Sequence, residues 1–104
     1  MNISENDLLV DVRTKTEFDI CKLPMESVNY PLKDLKRSTE SFIEQYLKHE
    51  TKRIIFICRR GNDSQRAADL IQKIVFDRAG VNITDLRGGL TAWHNEVDSN
   101  FPLY

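Results

Sequence analysis

A mainly parallel α/β sheet flanked by helices on both faces is the fold this sequence predicts, and three observations carry that prediction. Short apolar runs at residues 8–12, 53–58 and 81–86 alternate with stretches of helical periodicity, the order that right-handed parallel crossover units produce. The middle run, Arg53-Ile54-Ile55-Phe56-Ile57-Cys58, shows no polar alternation, as expected of a central strand covered on both sides. A length of 104 residues, with no repeat, linker or low-complexity stretch, suits one domain over 1–104.

Each element follows from local chemistry. Leu8-Leu9-Val10-Asp11-Val12 reads as a buried strand that stops at the polar Arg13-Thr14-Lys15 turn. One helical turn is expected over 16–20, after which Pro24 forces extended chain into Val28-Asn29-Tyr30-Pro31, a brief second strand. Ser41 with Glu44 three places on reads as a capping box, so a helix is expected from Ser41 to about His49, with Phe42, Ile43, Tyr46 and Leu47 on one face. Beyond the central strand and a glycine-containing loop, Ser64 is expected to cap a long helix. That helix carries Ala67, Ala68, Ile71, Ile74 and Val75 at helical spacing and is closed by Gly80. Residues 81–86 form another strand, and Gly88-Gly89 breaks the chain before a last helix with Leu90, Trp93 and Val97 on one side. The aromatics of Phe101-Pro102-Leu103-Tyr104 are expected to pack back on the body.

Composition narrows the function. A formal charge of -1 gives no global field for nucleic acid or an anionic membrane, so neither is an expected partner. The longest apolar run, residues 54–58, is far short of the roughly 20 residues a membrane helix needs. The polar N-terminus holds no signal-peptide core, and a cytoplasmic, reducing location is expected. Cys21 and Cys58 are too few for a disulfide scaffold and show no paired ligand spacing for zinc. His49 and His94 sit on helix-like polar stretches and are read as solvated or half-buried side chains, leaving no expected metal site.

The chemistry lies in Cys58-Arg59-Arg60-Gly61-Asn62-Asp63-Ser64, between a strand and a helix. Such a loop directs successive backbone N–H groups and a helix N-terminus at the thiol, a setting that favours an anion. Arg59 and Arg60 add to it, since a cation at about 4 Å is worth roughly 4 kcal/mol at a surface-like dielectric before screening. A thiolate nucleophile is therefore predicted at Cys58. Gly61 supplies the residue type needed where a tight loop turns through positive φ. The plainer alternative is a small packing residue at a strand end. It does not explain the hydrophilic string that follows.

Those residues resemble a rhodanese domain over essentially the whole chain. Leu8-Leu9-Val10-Asp11-Val12-Arg13 with Glu17-Phe18 is similar to its N-terminal signature, Cys58 to Asp63 to its active loop, and Gly88-Gly89-Leu90-Thr91-Ala92-Trp93 to its C-terminal signature. More narrowly, Asp19-Ile20-Cys21-Lys22-Leu23-Pro24, Gly61-Asn62-Asp63-Ser64-Gln65 and the Phe101-Pro102-x-Tyr104 ending resemble one group. This is the C-terminal domain of the eukaryotic adenylyltransferase and sulfurtransferase family, which serves molybdenum cofactor synthesis and the ubiquitin-related modifier of tRNA thiolation. The resemblance implies that Cys58 takes sulfur from a persulfide donor, such as a cysteine desulfurase or another sulfurtransferase. It also implies that the sulfur passes to the adenylated C-terminal glycine of a ubiquitin-like carrier. In that reading Arg59, Arg60, Gly61, Asn62, Asp63 and Ser64 hold the persulfide, and the domain needs no cofactor of its own. ATP, magnesium and zinc belong to a separate N-terminal adenylyltransferase domain, for which this chain has neither the Gly-rich phosphate loop nor a Cys-x-x-Cys pair. An excised domain that lacks the family's first edge strand and helix is the corresponding expectation.

Other residues divide between readings. Asp63 departs from the commonest rhodanese loops; as a carboxylate at the rim of an anion cradle it is expected to repel thiosulfate and favour a protein persulfide donor, while its plainer role is to help cap the helix. Asp11 and Arg13 end a strand at the active edge and are read as fixing local loop structure. Cys21 is read as a buried thiol, with a secondary redox role as the alternative. The charged run 33–37 is read as a solvated face, or else as a basic patch that docks an acidic partner. Two rival functions remain. A cysteine phosphatase or arsenate reductase needs an arginine six places after the cysteine, where Ser64 stands, and Arg66 comes two places late. A non-catalytic interaction module of the same fold usually lacks the loop cysteine.

Overall fold

The computed structural model describes residues 6–20, 22, 26–47, 51–59, 61–75, 81–86 and 89–92. Along them run β1 (Asp7–Asp11), α1 (Lys15–Ile20), β2 (Val28–Asn29), α2 (Leu32–Arg37), α3 (Thr39–Tyr46), β3 (Arg53–Ile57), α4 (Asn62–Val75), β4 (Asn82–Asp85) and α5 (Gly89–Ala92). The four strands are ordered β2-β1-β3-β4 and every pairing is parallel. Registers start at Asp7 opposite Arg53 and Arg53 opposite Asn82. The first of these pairs is also ionic, with Arg53 Nη2 2.6 Å from Asp7 Oδ2. The hydrogen bond to Asp7, more than its bare charge, raises the Arg53 pKa above its ordinary value.

Both faces of β3 are buried, which is why it shows no polar alternation. On one face Val10, Val12, Ile54, Phe56 and Cys58 join Leu35 of α2, Phe42 and Ile43 of α3, and Ala67, Ala68, Ile71 and Val75 of α4. Aromatic rings tie this side together: Tyr30 meets Phe42 edge-on at 5.1 Å between centroids, and Phe42 meets Phe56 in a tilted pair at 6.1 Å. On the other face Leu9, Ile55 and Ile57 are buried. At about 1.5–3 kcal/mol for each large apolar side chain withdrawn from water, these two layers supply most of the driving force.

The structure corrects the sequence reading at four places. The charged run 33–37 lies in α2, a helix the sequence pattern did not announce; Leu35 anchors it in the core with no exposed surface. The next helix starts at Thr39, so Ser41 is an exposed interior residue and heads no capping box. The break between α2 and α3 falls at Ser38, whose N–H returns to the Asp34 carbonyl, and Thr39 Oγ1 donates to the Leu35 carbonyl at 2.7 Å. Ser64 does not cap α4, because the helix begins at Asn62 and Ser64 falls within its first turn, fully buried. Ile74 is exposed, since the buried stripe runs through Ser64, Ala67, Ala68, Ile71 and Val75 and leaves position 74 off the face. Readings at Cys21, His49, Arg60, Gly80, Gly88, Trp93, His94, Val97 and 101–104 lie outside the described residues.

Candidate active site

The parallel sheet brings three loops together at the carboxyl ends of its strands, where crevices of open α/β sheets lie. After β3 the chain passes through Cys58 and Arg59 and turns at Gly61, whose φ of 96° is the left-handed conformation that glycine adopts without steric cost. That turn brings the Gly61 N–H to the Cys58 Sγ at 2.9 Å. Helix α4 starts at the next residue and lays Ser64 Oγ 3.3 Å from the same sulfur. The thiol S–H donates to that hydroxyl; once sulfur is anionic the hydroxyl is free to rotate and donate instead. The buried sulfur thus has one amide donor, one hydroxyl that can donate to its anion, and the positive end of a fourteen-residue helix beside it.

Gly89 holds the loop from the other side. Its φ is 63°, and a Cβ there would overlap the carbonyl groups of Cys58 and Arg59. The following N–H, of Leu90, donates to the Cys58 carbonyl at 2.8 Å. Gly89 does more than break the chain before a helix: it lets α5 close directly onto the nucleophile's backbone.

The loop after β1 is fixed by Asp11 and Arg13. Both are buried, and the Arg13 backbone N–H, Nε and Nη2 all donate to the Asp11 carboxylate, the shortest at 2.7 Å. Asn29 Nδ2 donates to the carbonyls of Asp11 and Arg13. This matches the structural role expected of the Asp-x-Arg pair. Just beyond, Thr14 and Glu17 form the reciprocal bonds of a capping box for α1: the Glu17 N–H donates to Thr14 Oγ1 at 3.2 Å and the Thr14 N–H to Glu17 Oε1 at 3.3 Å. The spacing Thr-x-x-Glu was visible in the sequence and was not read there as a cap.

Between these segments lies a cleft of about 430 Å³ with Cys58 in its lining. Arg59, Asn62, Asp63 and Arg66 line the side of the active loop; Arg13, Thr14 and Glu17 come from the β1 loop; Pro31, Leu32 and Lys33 come from the start of α2. Of the expected loop residues, Cys58, Gly61 and Ser64 converge on the sulfur, and Arg59, Asn62 and Asp63 share the cleft. Arg60 lies outside the described residues. Asp63 is exposed and paired with Arg66 at 3.1 Å, so its charge is partly offset. Glu17, Lys33 and Arg66 are cleft residues that sequence reasoning did not place, because only the fold brings their segments together. Among the described residues no group of three or more metal-ligating side chains occurs, and no helix is long and apolar enough to cross a membrane.

A parallel sheet that delivers a cysteine into a glycine-turned loop, with the turn's own N–H on the sulfur, defines a class, and this chain belongs to it: the rhodanese-like domain family matches residues 1–96. This chain's relatives within the family include a set of two-function proteins. The chain is 43% identical over 104 residues to adenylyltransferase and sulfurtransferase MOCS3-1 of Drosophila pseudoobscura pseudoobscura, covering 97% of this chain and 22% of that protein. It is 37% identical over 102 residues to adenylyltransferase and sulfurtransferase UBA4 of Yarrowia lipolytica, covering 98% of this chain and 23% of that protein. The chain therefore spans about a fifth of the length of these relatives. Solved structures agree on the fold. A rhodanese-related protein from Thermoplasma volcanium superposes with a TM-score of 0.66 at 23% identity, covering 96% of this chain and 85% of that one. A rhodanese-like domain protein from Staphylococcus aureus gives 0.65 at 20% identity, covering 97% and 84%.

Proposed function

We propose that this chain is a sulfurtransferase domain in which Cys58 relays sulfur from a persulfide donor to the adenylated C-terminus of a ubiquitin-like carrier, serving tRNA thiolation, molybdopterin synthesis or both in the cytoplasm. The observation that carries the reading is the Cys58 sulfur in the cleft lining, with the Gly61 N–H at 2.9 Å and the Ser64 hydroxyl at 3.3 Å. Naming of the relatives as adenylyltransferase and sulfurtransferase supports the choice of acceptor. A cysteine desulfurase or a second sulfurtransferase supplies the sulfur.

The chemistry runs in balanced steps. Ionised Cys58 sulfur attacks the outer sulfur of the donor persulfide; the new S–S bond forms as the donor thiolate leaves, giving Cys58-S-S⁻. That outer sulfur attacks the acyl carbon of the carrier adenylate, forming a C–S bond while the C–O bond breaks and AMP departs. A second thiol then cleaves the S–S bond of the resulting acyl disulfide, releasing the thiocarboxylate and leaving a disulfide at Cys58. Gly61 and Ser64 hold the inner sulfur throughout, so that the outer one is presented to the cleft.

The test uses the persulfide-loaded chain, an adenylated ubiquitin-like carrier and a free thiol. Carrier mass is expected to show exchange of one carboxyl oxygen for sulfur, and Cys58→Ala to abolish it. A loaded chain that leaves the carrier unchanged overturns the acceptor, and a chain that never loads returns the domain to the role of a binding module.

A further inference from the structure

Lys33 lines the same cleft as Cys58, Arg59 and Asn62, yet nothing in the fold accounts for it. Among the other cations of the cleft, Arg13 is bound to Asp11 at 2.7 Å and Arg66 to Asp63 at 3.1 Å. Exposed Lys33 makes no ion pair or hydrogen bond with the described residues. Its helix does not need it. Leu35 provides the core contact of α2, and Lys36 and Arg37 already stand in the last turn, where the helix dipole favours positive charge. Lys33 stands in the first turn, where the dipole disfavours it.

We propose that Lys33 holds the oxyanion that leaves when sulfur changes hands at Cys58; the acceptor half of this inference rests on the carrier reading above. When the persulfide attacks an acyl adenylate, the breaking C–O bond leaves its electron pair on the AMP phosphate. When Cys58 is loaded from thiosulfate, the breaking S–S bond leaves its electron pair on sulfite. In both cases negative charge grows on an oxyanion next to the reacting atom, and a cation that meets it there binds the transition state more tightly than the ground state. A lysine suits the task because its ammonium is a point charge on a flexible stem, able to follow a departing group.

Two arms test this with the intact chain. In the first, persulfide-loaded chain is offered N-acetylglycyl adenylate and, separately, the 4-nitrophenyl thioester of N-acetylglycine, whose leaving group is a thiolate and carries no oxyanion. In the second, unloaded chain is offered thiosulfate and inorganic polysulfide. Lys33→Gln is expected to lower the ratio of kcat/KM for the oxyanion compound over its counterpart on the order of tenfold, less than a buried oxyanion donor because Lys33 is exposed. Lys33→Arg is expected to restore most of it. A fall in the adenylate arm assigns the oxyanion to the acceptor, and a fall in the thiosulfate arm assigns it to the donor. Ratios unchanged in both arms overturn the proposal. If loaded wild-type chain reacts with neither acyl compound, the carrier reading fails instead, and the thiosulfate arm alone decides Lys33.

Discussion

Gly61 meets two demands at once: it turns the chain at a φ of 96° and it aims its own N–H at the Cys58 sulfur. Both were legible in the sequence, because a glycine three places after a strand-end cysteine leaves little else for the loop to do. Ser64 was legible as a residue of the loop-to-helix junction but not in its orientation, since Ser is a common cap and only the observed start of α4 turns it inward. Asp63 also gains a partner that the sequence did not reveal. Its pair with Arg66 is exposed, and such pairs are worth at most about 1 kcal/mol, so the proposed donor choice requires that the carboxylate keep a bias against a dianion despite its partner. Asp63→Thr removes that charge and releases Arg66. Loading of Cys58 from thiosulfate is expected to rise about fivefold, the equivalent of roughly 1 kcal/mol, when followed by intact mass against time. An unchanged loading rate would contradict the account of donor choice.

Elements with strong periodicity were read well, and the short ones were not. Strand β3 and helix α4 carry enough buried residues to declare themselves, whereas α2 shows one buried leucine among charged residues and has no pattern to detect. The misplaced start of α3 has a similar cause: Ser41 satisfies the cap motif locally, but the turn at Ser38 is set by Leu35 and Phe42 both entering the core. The packing of α5 on the active loop has no local signature at all. It makes Gly89 a positioning residue for Cys58. Gly89→Ala adds a Cβ where the Cys58 and Arg59 carbonyls already lie, at a backbone conformation that alanine adopts only with strain. It is expected to cost more than about 1 kcal/mol in urea unfolding and to slow persulfide loading, even at temperatures where the chain remains folded. Full loading in a folded variant would show that the contact is dispensable.

At the scale of the molecule, the site follows from the sheet. With every strand parallel, the loops after β1, β2 and β3 open on one edge, so Arg13, Pro31 and Cys58 line one cleft although they are far apart in the chain. The parallel direction of the strands was within reach of the sequence once the alternation of elements was recognised; their order, and which side chains would share the cleft, were not, since those depend on how the crossovers and the three loops fold against one another. A net charge of -1 gives no global field, so the charges that line the cleft, of both signs, act on an approaching group only at short range. Everything proposed for this domain passes through one covalent event at Cys58. The measurement that tests it most directly is the intact mass of the chain after incubation with a sulfane donor and removal of excess reagent. The account predicts a gain of one sulfur atom that a thiol reductant reverses and that is absent in Cys58→Ala. No gain with thiosulfate, polysulfide or a persulfidated cysteine desulfurase, or a gain that persists in Cys58→Ala, would contradict it.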